Sequence, residues 1–354
     1  VDITFKKSDI LKEHPQDSAL GFGTVFTDYM FSMDYSTEAG WHNPRIEPYG
    51  PIAMDPSTMV LHYGQAIFEG LKAYRTESGD IQLFRPKDNL RRLNKSGHML
   101  CMPEVDEEFI LEALIKLLKI EQDWVPGATG TSLYIRPTII ATDPYIGLRS
   151  SHTYRFFIIL SPVGAYYPEG FNPVKIWVTT EYVRAVRGGV GQAKTAGNYA
   201  ASLYATQLAN KDGYTQVMWL DGVELKYIEE VGSMNIFFAI GDELITPQLN
   251  RSILAGVTRD SVIQLAKSWG VKMVERRISI DEVYDAHAKG ELKEVFGSGT
   301  AAVISPVGNI KFDGREITIN DGKVGPLSAK LFKELMDIQY GKAEDPFNWV
   351  MPVR

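Results

Sequence analysis

The apolar runs in this chain are short. Phe156–Leu160 and Met234–Ile240 have strand length, far below the roughly 18 residues needed to cross a bilayer. Between such runs lie stretches with helical period. In Asp106–Trp124, residues Phe109, Ile110, Ala113, Leu114, Leu117 and Leu118 fall on one face, and Asp106 stands where it can cap the first turn. Helices are also predicted over Asn198–Lys211, ahead of Gly213, over Thr258–Trp269, ahead of Gly270, and over Leu327–Tyr340. Strands are predicted over Tyr154–Leu160, Lys175–Thr180, Gln216–Leu220, Met234–Ala239, Lys272–Arg276 and Ala301–Ser305, where β-branched and aromatic residues gather. Both element types occur in each half, so the fold class is α/β or mixed α+β.

With 354 residues and roughly 150 per domain, the chain divides naturally in two. Pro and Gly interrupt a strand-rich region in SPVGAYYPEGFNP, Ser161 to Pro173, which marks a linker. The expected domains are 1–167 and 168–354. No fixed-period repeat is present. A formal net charge of −7 without long blocks of one sign argues against nucleic acid or an anionic membrane as partner. Cys101 is the one cysteine, so neither an intrachain disulfide nor a cysteine-based zinc site can form, and a reducing compartment fits. The opening residues VDITFKKSDILKEH lack the apolar core of a signal peptide. Because the chain begins at Val1, a removed leader stays open.

The six histidines form neither HExxH nor a close pair, so no metal site is expected. A GxSxG elbow is missing. The run Arg187–Lys194, RGGVGQAK, fits neither GxGxxG nor a P-loop. Lys194 instead stands among small residues, GQAKTAGNYAAS. Such neighbours let a planar group approach the backbone, and partial desolvation would make a neutral, nucleophilic amine accessible. A plain surface lysine is the alternative. LAGVTRDSV, Leu254 to Val262, runs a glycine turn into a helix start with Thr258 in its first turn, which is a ready phosphate cradle. FGSGTAAV, Phe296 to Val303, offers a second small-residue turn at Thr300 and Ala301. Ordinary capping and tight turns would explain either alone; with Arg85 they could form one phosphate site. Glu229 and Glu230 precede an apolar strand, so alternation would turn one outward and one inward. The inward one needs a cation, which a protonated pyridine nitrogen would supply. Both could instead be solvated. A lysine, a phosphate cup and a carboxylate for a pyridinium are what pyridoxal 5′-phosphate (PLP) enzymes require.

The segments LHYGQAIFEGLKAY, LFRPKDNLRRL, SLYIRP, GGVGQAKTAGNYAAS, IEEVGSMNIFF, SILAGVTR and FGSGTAAV resemble the branched-chain amino acid aminotransferases, in that family's order, from about residue 20 to the C-terminus. The resemblance implies a two-domain fold type IV PLP-dependent enzyme with the cofactor between its domains, working as a cytoplasmic homodimer. Arg85 would come from one half and Lys194, Glu230 and Thr258 from the other. Lys194 would hold the cofactor as a Schiff base, Glu230 would pair with the pyridine nitrogen, and Tyr199 would donate to the ring hydroxyl oxygen. Arg85, Val257, Thr258 and Thr300 would hold the phosphate. Ser233 stands where some relatives have threonine. Tyr63 and the Thr300–Ala301 turn resemble the α-carboxylate site, while Phe22, Phe68, Tyr134 and Tyr166 would wall the side-chain pocket. Arg136 resembles the arginine that receives the side-chain carboxylate of glutamate. Ile146 and Leu148 would reach the neighbouring subunit's pocket.

The implied reaction is ping-pong transamination of L-leucine, L-isoleucine and L-valine with 2-oxoglutarate, giving 2-oxo acids and L-glutamate. Two departures stand out. A CxxC that some members carry after GSGT is replaced here, with Ala302 and Ser305 at its positions, and Ala255 replaces the usual proline of LPGVTR. A D-amino acid transaminase or aminodeoxychorismate lyase would share Lys194 and Glu230 but differ in LHYGQAIFEG and SLYIRP. A noncatalytic PLP- or phosphate-binding protein could lose Lys194, Glu230 or Tyr199, and all three are present.

Overall fold

Eight strands of the first half are β1 (Thr4–Phe5), β2 (Tyr29–Ser36), β3 (Gly40–Pro48), β4 (Ala66–Phe68), β5 (Leu71–Arg75), β6 (Ile81–Phe84), β7 (Ser132–Ala141) and β8 (Thr153–Val163). Together with the C-terminal strand Val350–Pro352 they form a nine-stranded sheet in the order β1-β3-β2-β8-β7-β5-β6-(Val350–Pro352), with β4 beside β7. The computed structural model describes residues 2–164 and 170–354. Period-two alternation gives this sheet two unlike faces. Leu71 and Ala73 of β5, Leu133 and Ile135 of β7, and Phe156, Ile158 and Leu160 of β8 enter one apolar core. Lys72, Tyr134, Arg136 and Ser161, at the intervening positions, face the other way.

The core side is covered by α2 (Pro86–Met99) and α3 (Glu107–Ile120), which follow the short α1 (Met59–Tyr63). In α3 the expected face is buried at Ile110, Ala113, Leu114, Leu117 and Leu118, with Phe109 partly buried against it. The Asp106 carboxylate caps it, accepting from the N–H of Glu108 at 3.0 Å and of Phe109 at 3.1 Å. The helix ends at Ile120, short of Trp124, because a 3₁₀ turn over Gln122–Trp124 takes over.

The second sheet contains β9 (Val174–Thr179), β10 (Gln216–Leu220), β11 (Ile228–Val231), β12 (Asn235–Ile240), β13 (Glu243–Thr246), β14 (Lys272–Glu275), β15 (Leu292–Gly299), β16 (Val303–Phe312) and β17 (Arg315–Thr318). Its order is β11-β10-β9-β16-β15-β12-β13-β14, with β17 against β16. Helices α4 (Ala196–Lys211), α5 (Val257–Ser268), α6 (Ile280–Ala288) and α7 (Pro326–Gln339) accompany it. Ile176, Met218, Ile236, Phe238, Val295 and Ile310 belong to its core. The fold is thus mixed α/β with two sheets, as expected. The largest difference at a strand start is the last: Ala301 and Ala302 lie in a turn, and β16 begins at Val303. The cause is the antiparallel pairing of Gly299 with Val303, which leaves the three residues between them to reverse the chain.

By its contacts the chain divides into two units, Val1–Tyr166 with Ala193–Ala196 and Asp337–Arg354, and Tyr167–Gln192 with Gly197–Met336. Lys194, which lies beyond the expected boundary at 167/168, therefore clusters with the first unit. Its segment runs beside β4: Ile67 bridges Thr195, the Phe68 N–H donates to the Lys194 carbonyl at 3.0 Å, and Thr195 Oγ1 donates to the Ala66 carbonyl at 2.8 Å.

Candidate active site

In the first unit, the residues singled out for a side-chain pocket form a connected row. Lys194 Nζ lies 5.0 Å from the centroid of the Phe68 ring, and the Arg136 guanidinium carbon lies 4.6 Å from the same centroid. Arg136 Nη2 donates to the Tyr134 hydroxyl at 2.9 Å, and the Tyr134 ring meets that of Phe22 edge-on at 5.0 Å. Local structure explains the row. Tyr134 and Arg136 are two apart on β7 and share a face, β4 pairs with β7 through Phe68 and Thr138, and the lysine segment pairs with β4. Gly70 makes room, because a Cβ there would lie 2.1 Å from the Tyr134 hydroxyl oxygen.

Arg85 stands at the N-cap of α2 in a left-handed conformation, φ 51° and ψ 42°. Its Nε donates to Asp88 at 2.8 Å, and its guanidinium lies over the Trp349 ring. Tyr63 is exposed, and its hydroxyl donates to the Ile146 carbonyl. Ile146 and Leu148 project into solvent at 66% and 85% exposure. Tyr166 lies outside the described residues.

The second unit gathers a different set. Glu229 and Glu230 both lie within β11, and both are buried. This corrects the expectation that one would face outward: strand alternation does separate them, but the Asn250–Ser252 turn covers the second side. Asn250 Nδ2 donates to Glu229 at 2.9 Å, and the Ser252 hydroxyl donates to the same carboxylate. Glu230 Oε1 accepts from the Leu254 N–H at 2.8 Å and pairs with Arg184 Nη2 at 3.2 Å. A cation for the buried carboxylate is therefore present in the chain itself. Arg184 was missed by the sequence reading; the signal is an arginine in TTEYVRAV just ahead of the glycine run.

From Leu254 the backbone leads into α5, whose N-cap Gly256 has no side-chain cap. Any side chain at Gly256 would have to displace Asn235, since a Cβ would lie 2.0 Å from Asn235 Oδ1. Asn235 in turn pairs with Ser298 across β12 and β15, one residue pair before the Thr300–Ala301 turn. The buried Ser298 hydroxyl has no partner among the described residues. Val303, closing that turn, takes φ 62°, a strained value for a β-branched residue. Thus Glu230, the start of α5 at Val257 and Thr258, and the Thr300–Ala301 turn are connected through Leu254, Asn235 and Ser298, by hydrogen bonds and strand pairing. Tyr199 is partly buried on the first turns of α4, whereas Ser233 is exposed in the turn after β11.

Electrostatics single out two groups near the Phe68 row. Burial alone would raise the Glu69 carboxyl, but the charge and hydrogen bonds of Arg92, with the charge of Lys194, hold it below its ordinary value. Burial brings the Lys72 ammonium, opposite Tyr134 on β5, down to about 8. Among the described residues no cluster of His, Cys, Asp and Glu is suited to a metal ion, and no helix is long and apolar enough to cross a membrane.

A family model described as amino-transferase class IV matches residues 66–310, spanning both units, and the chain belongs to that family. Among its relatives, branched-chain-amino-acid transaminase 1 of Bacillus subtilis (strain 168) is 58% identical over 98% of both chains. The solved branched-chain amino acid aminotransferase of Escherichia coli matches with a TM-score of 0.78 at 28% identity, over 92% of this chain and 99% of that one. A branched-chain amino acid aminotransferase from Thermobaculum terrenum, solved in its PLP form, matches with a TM-score of 0.75 at 25% identity, over 92% and 98%.

Proposed function

We propose that this protein is a pyridoxal 5′-phosphate-dependent aminotransferase that exchanges the amino group of L-leucine, L-isoleucine or L-valine with 2-oxoglutarate, by a ping-pong route. The observation that carries the reading is the continuous row Lys194–Phe68–Arg136–Tyr134–Phe22. It sets one amine beside a wall that is aromatic along its length and cationic at one point. An apolar side chain and a distal carboxylate can each find a partner there.

The donor set fits the cofactor. The start of α5, whose N-cap Gly256 offers no side-chain cap, and the buried Ser298 hydroxyl, without a partner among the described residues, suit a phosphate. The buried Glu230 carboxylate suits a protonated ring nitrogen. Arg85, Val257, Thr258 and Thr300 are assigned to the phosphate, Tyr199 to the ring hydroxyl, and Ser233 to a peripheral contact. When bound, the cofactor supplies an electron sink for the carbanion formed at the substrate α-carbon. Lys194 Nζ would anchor it and, as a free amine, would serve as the general base toward the substrate's α-proton. Glu230 keeps the ring nitrogen protonated. Tyr63 and, separately, the Thr300–Ala301 turn are assigned to the α-carboxylate, Phe22, Phe68 and Tyr134 to the apolar wall, and Tyr166, outside the described residues, to that wall by resemblance alone. Arg136 and the Tyr134 hydroxyl receive the distal carboxylate of glutamate or 2-oxoglutarate. One methylene in an apolar pocket is worth only about 1–3 kcal/mol, so all three branched-chain amino acids are substrates.

The two domains are read as 1–167 and 168–354, joined by the linker 161–173. A homodimer is part of the proposal, supported by apolar side chains left exposed at Ile146, Leu148, Leu203 and Tyr204. A cytoplasmic setting is supported by Cys101, a free and exposed thiol suited to a reducing compartment. The test is a panel of amino donors with 2-oxoglutarate as acceptor. L-Leucine, L-isoleucine and L-valine should all turn over, and D-alanine should not. Turnover of D-alanine in preference to L-leucine would reverse the assignment.

A further inference from the structure

One face of α2 carries Asn89, Arg92 and Ser96, each buried and spaced by about one turn. Ser96 holds the backbone of Lys194, while Asn89 and Arg92 hold Glu69, which follows the Phe68 whose ring faces the Lys194 amine. Ser96 Oγ accepts the Lys194 N–H at 2.9 Å. Arg92 forks onto Glu69, with Nε to Oε1 at 2.7 Å and Nη2 to Oε2 at 2.9 Å. Asn89 Nδ2 and the Gly70 N–H add contacts to Glu69 Oε2 at 2.8 Å and 3.1 Å.

Glu69 is fully buried and directly follows Phe68, the ring shared by Lys194 and Arg136. The charged groups around this point come from several elements: Arg92 from α2, Arg136 from β7, Lys194 from its own segment, and Glu69 from the connection between β4 and β5. Three of these are cations, the buried Lys72 of β5 is a fourth, and Glu69 supplies the negative charge. Arg92 fixes its orientation through two parallel bonds, the geometry in which a guanidinium holds a carboxylate most firmly.

We propose that Glu69 is a positioning residue for Lys194: its buried carboxylate, aimed by Arg92, stabilises positive charge on the Lys194 nitrogen. The inference rests on the reading of Lys194 as the cofactor's anchor. The Lys194 charge is among those that lower the Glu69 carboxyl, so the two charges act on one another, and an opposite charge nearby favours the charged form of a titrating nitrogen. Without Glu69 the lysine nitrogen would face the charges of Arg92 and Arg136 with no anion between. The consequence is control over how easily that nitrogen gives up its proton, and hence over the pH at which the enzyme is poised to react.

The test is a pH titration of the visible absorbance band of the holoenzyme, whose midpoint reports protonation at the lysine nitrogen. Glu69→Gln keeps the side-chain shape and removes the charge. Its midpoint should fall by about one pH unit, with the band itself retained. Glu69→Asp keeps the charge but withdraws it by one methylene, so its midpoint should fall by a smaller amount. A folded Glu69→Gln holoenzyme with an unmoved midpoint would overturn the proposal. If that variant does not fold, Glu69→Asp decides, and no fall there overturns it equally. A wild-type holoenzyme without a lysine-dependent band would instead remove the underlying assignment of Lys194.

Discussion

Lys194 and Phe68 hold each other twice. The Phe68 N–H donates to the Lys194 carbonyl at 3.0 Å, and the Lys194 amine returns over the Phe68 ring, 5.0 Å from its centroid. The backbone contact fixes where the lysine starts, and the ring limits where its amine can go. Phe68 therefore restrains the amine that is proposed as the cofactor anchor.

Gly70 sets the position of Tyr134 in that pocket. In Gly70→Ala the new Cβ would lie 2.1 Å from the Tyr134 hydroxyl oxygen and 2.9 Å from the ring carbon that bears it. Tyr134 must shift, and its hydrogen bond from Arg136 breaks. The KM for 2-oxoglutarate should rise by about tenfold, with a much smaller change for L-leucine. Steady-state kinetics with both substrates checks this, and equal changes would contradict the roles given to Tyr134 and Arg136.

Arg184 is the counter-charge of Glu230. Arg184→Met leaves the buried carboxylate with the Leu254 N–H but no cation at Oε1. Stripping one partner from a buried pair costs on the order of 3 kcal/mol. Urea unfolding should register that loss, and Arg184→Met combined with Glu230→Gln should recover most of it, because an amide needs no counter-charge. A double variant as unstable as the single one would show that Arg184 acts through its bonds to the Gly191 and Ser252 carbonyls and not through the charge of Glu230.

Glu121 links stability to pH. Burial raises its carboxyl from 4.5 to about 7, against the Tyr29 N–H and the Thr27 hydroxyl, which favour the anion, and with the nearby Asp28, which opposes it. The folded state thus holds this proton more tightly than the unfolded chain. Its contribution is complete below about pH 4.5 and is lost as the pH rises through 7. Glu121→Gln keeps an acceptor for the Tyr29 N–H and removes the titration. It should match the wild type at pH 4.5 and exceed it at pH 8 by about 2 kcal/mol. Unfolding free energies at the two values test this; a constant difference between the proteins would contradict it.

What the sequence reveals depends on how local the cause is. Helix α3 is legible because its apolar period and its Asp106 cap lie within one segment. Lys194 and Glu230 stand out because small or apolar neighbours surround them in the chain. Helix α2 is harder to see: it begins at Arg85 in a left-handed conformation, an N-cap that lacks a side-chain cap. The burial of both Glu229 and Glu230 is also hidden, since their partners Asn250, Ser252 and Leu254 lie 21 to 24 residues away. Arg184 and Ser298 acquire meaning only through contacts that the fold creates.

The central claim is that Lys194 both anchors the cofactor and moves the substrate's α-proton. The most direct measurement is the visible spectrum of purified Lys194→Ala beside its turnover of L-leucine with 2-oxoglutarate. A folded variant that lacks the lysine-dependent band and forms no glutamate is the predicted result. Wild-type turnover in that variant would contradict the account.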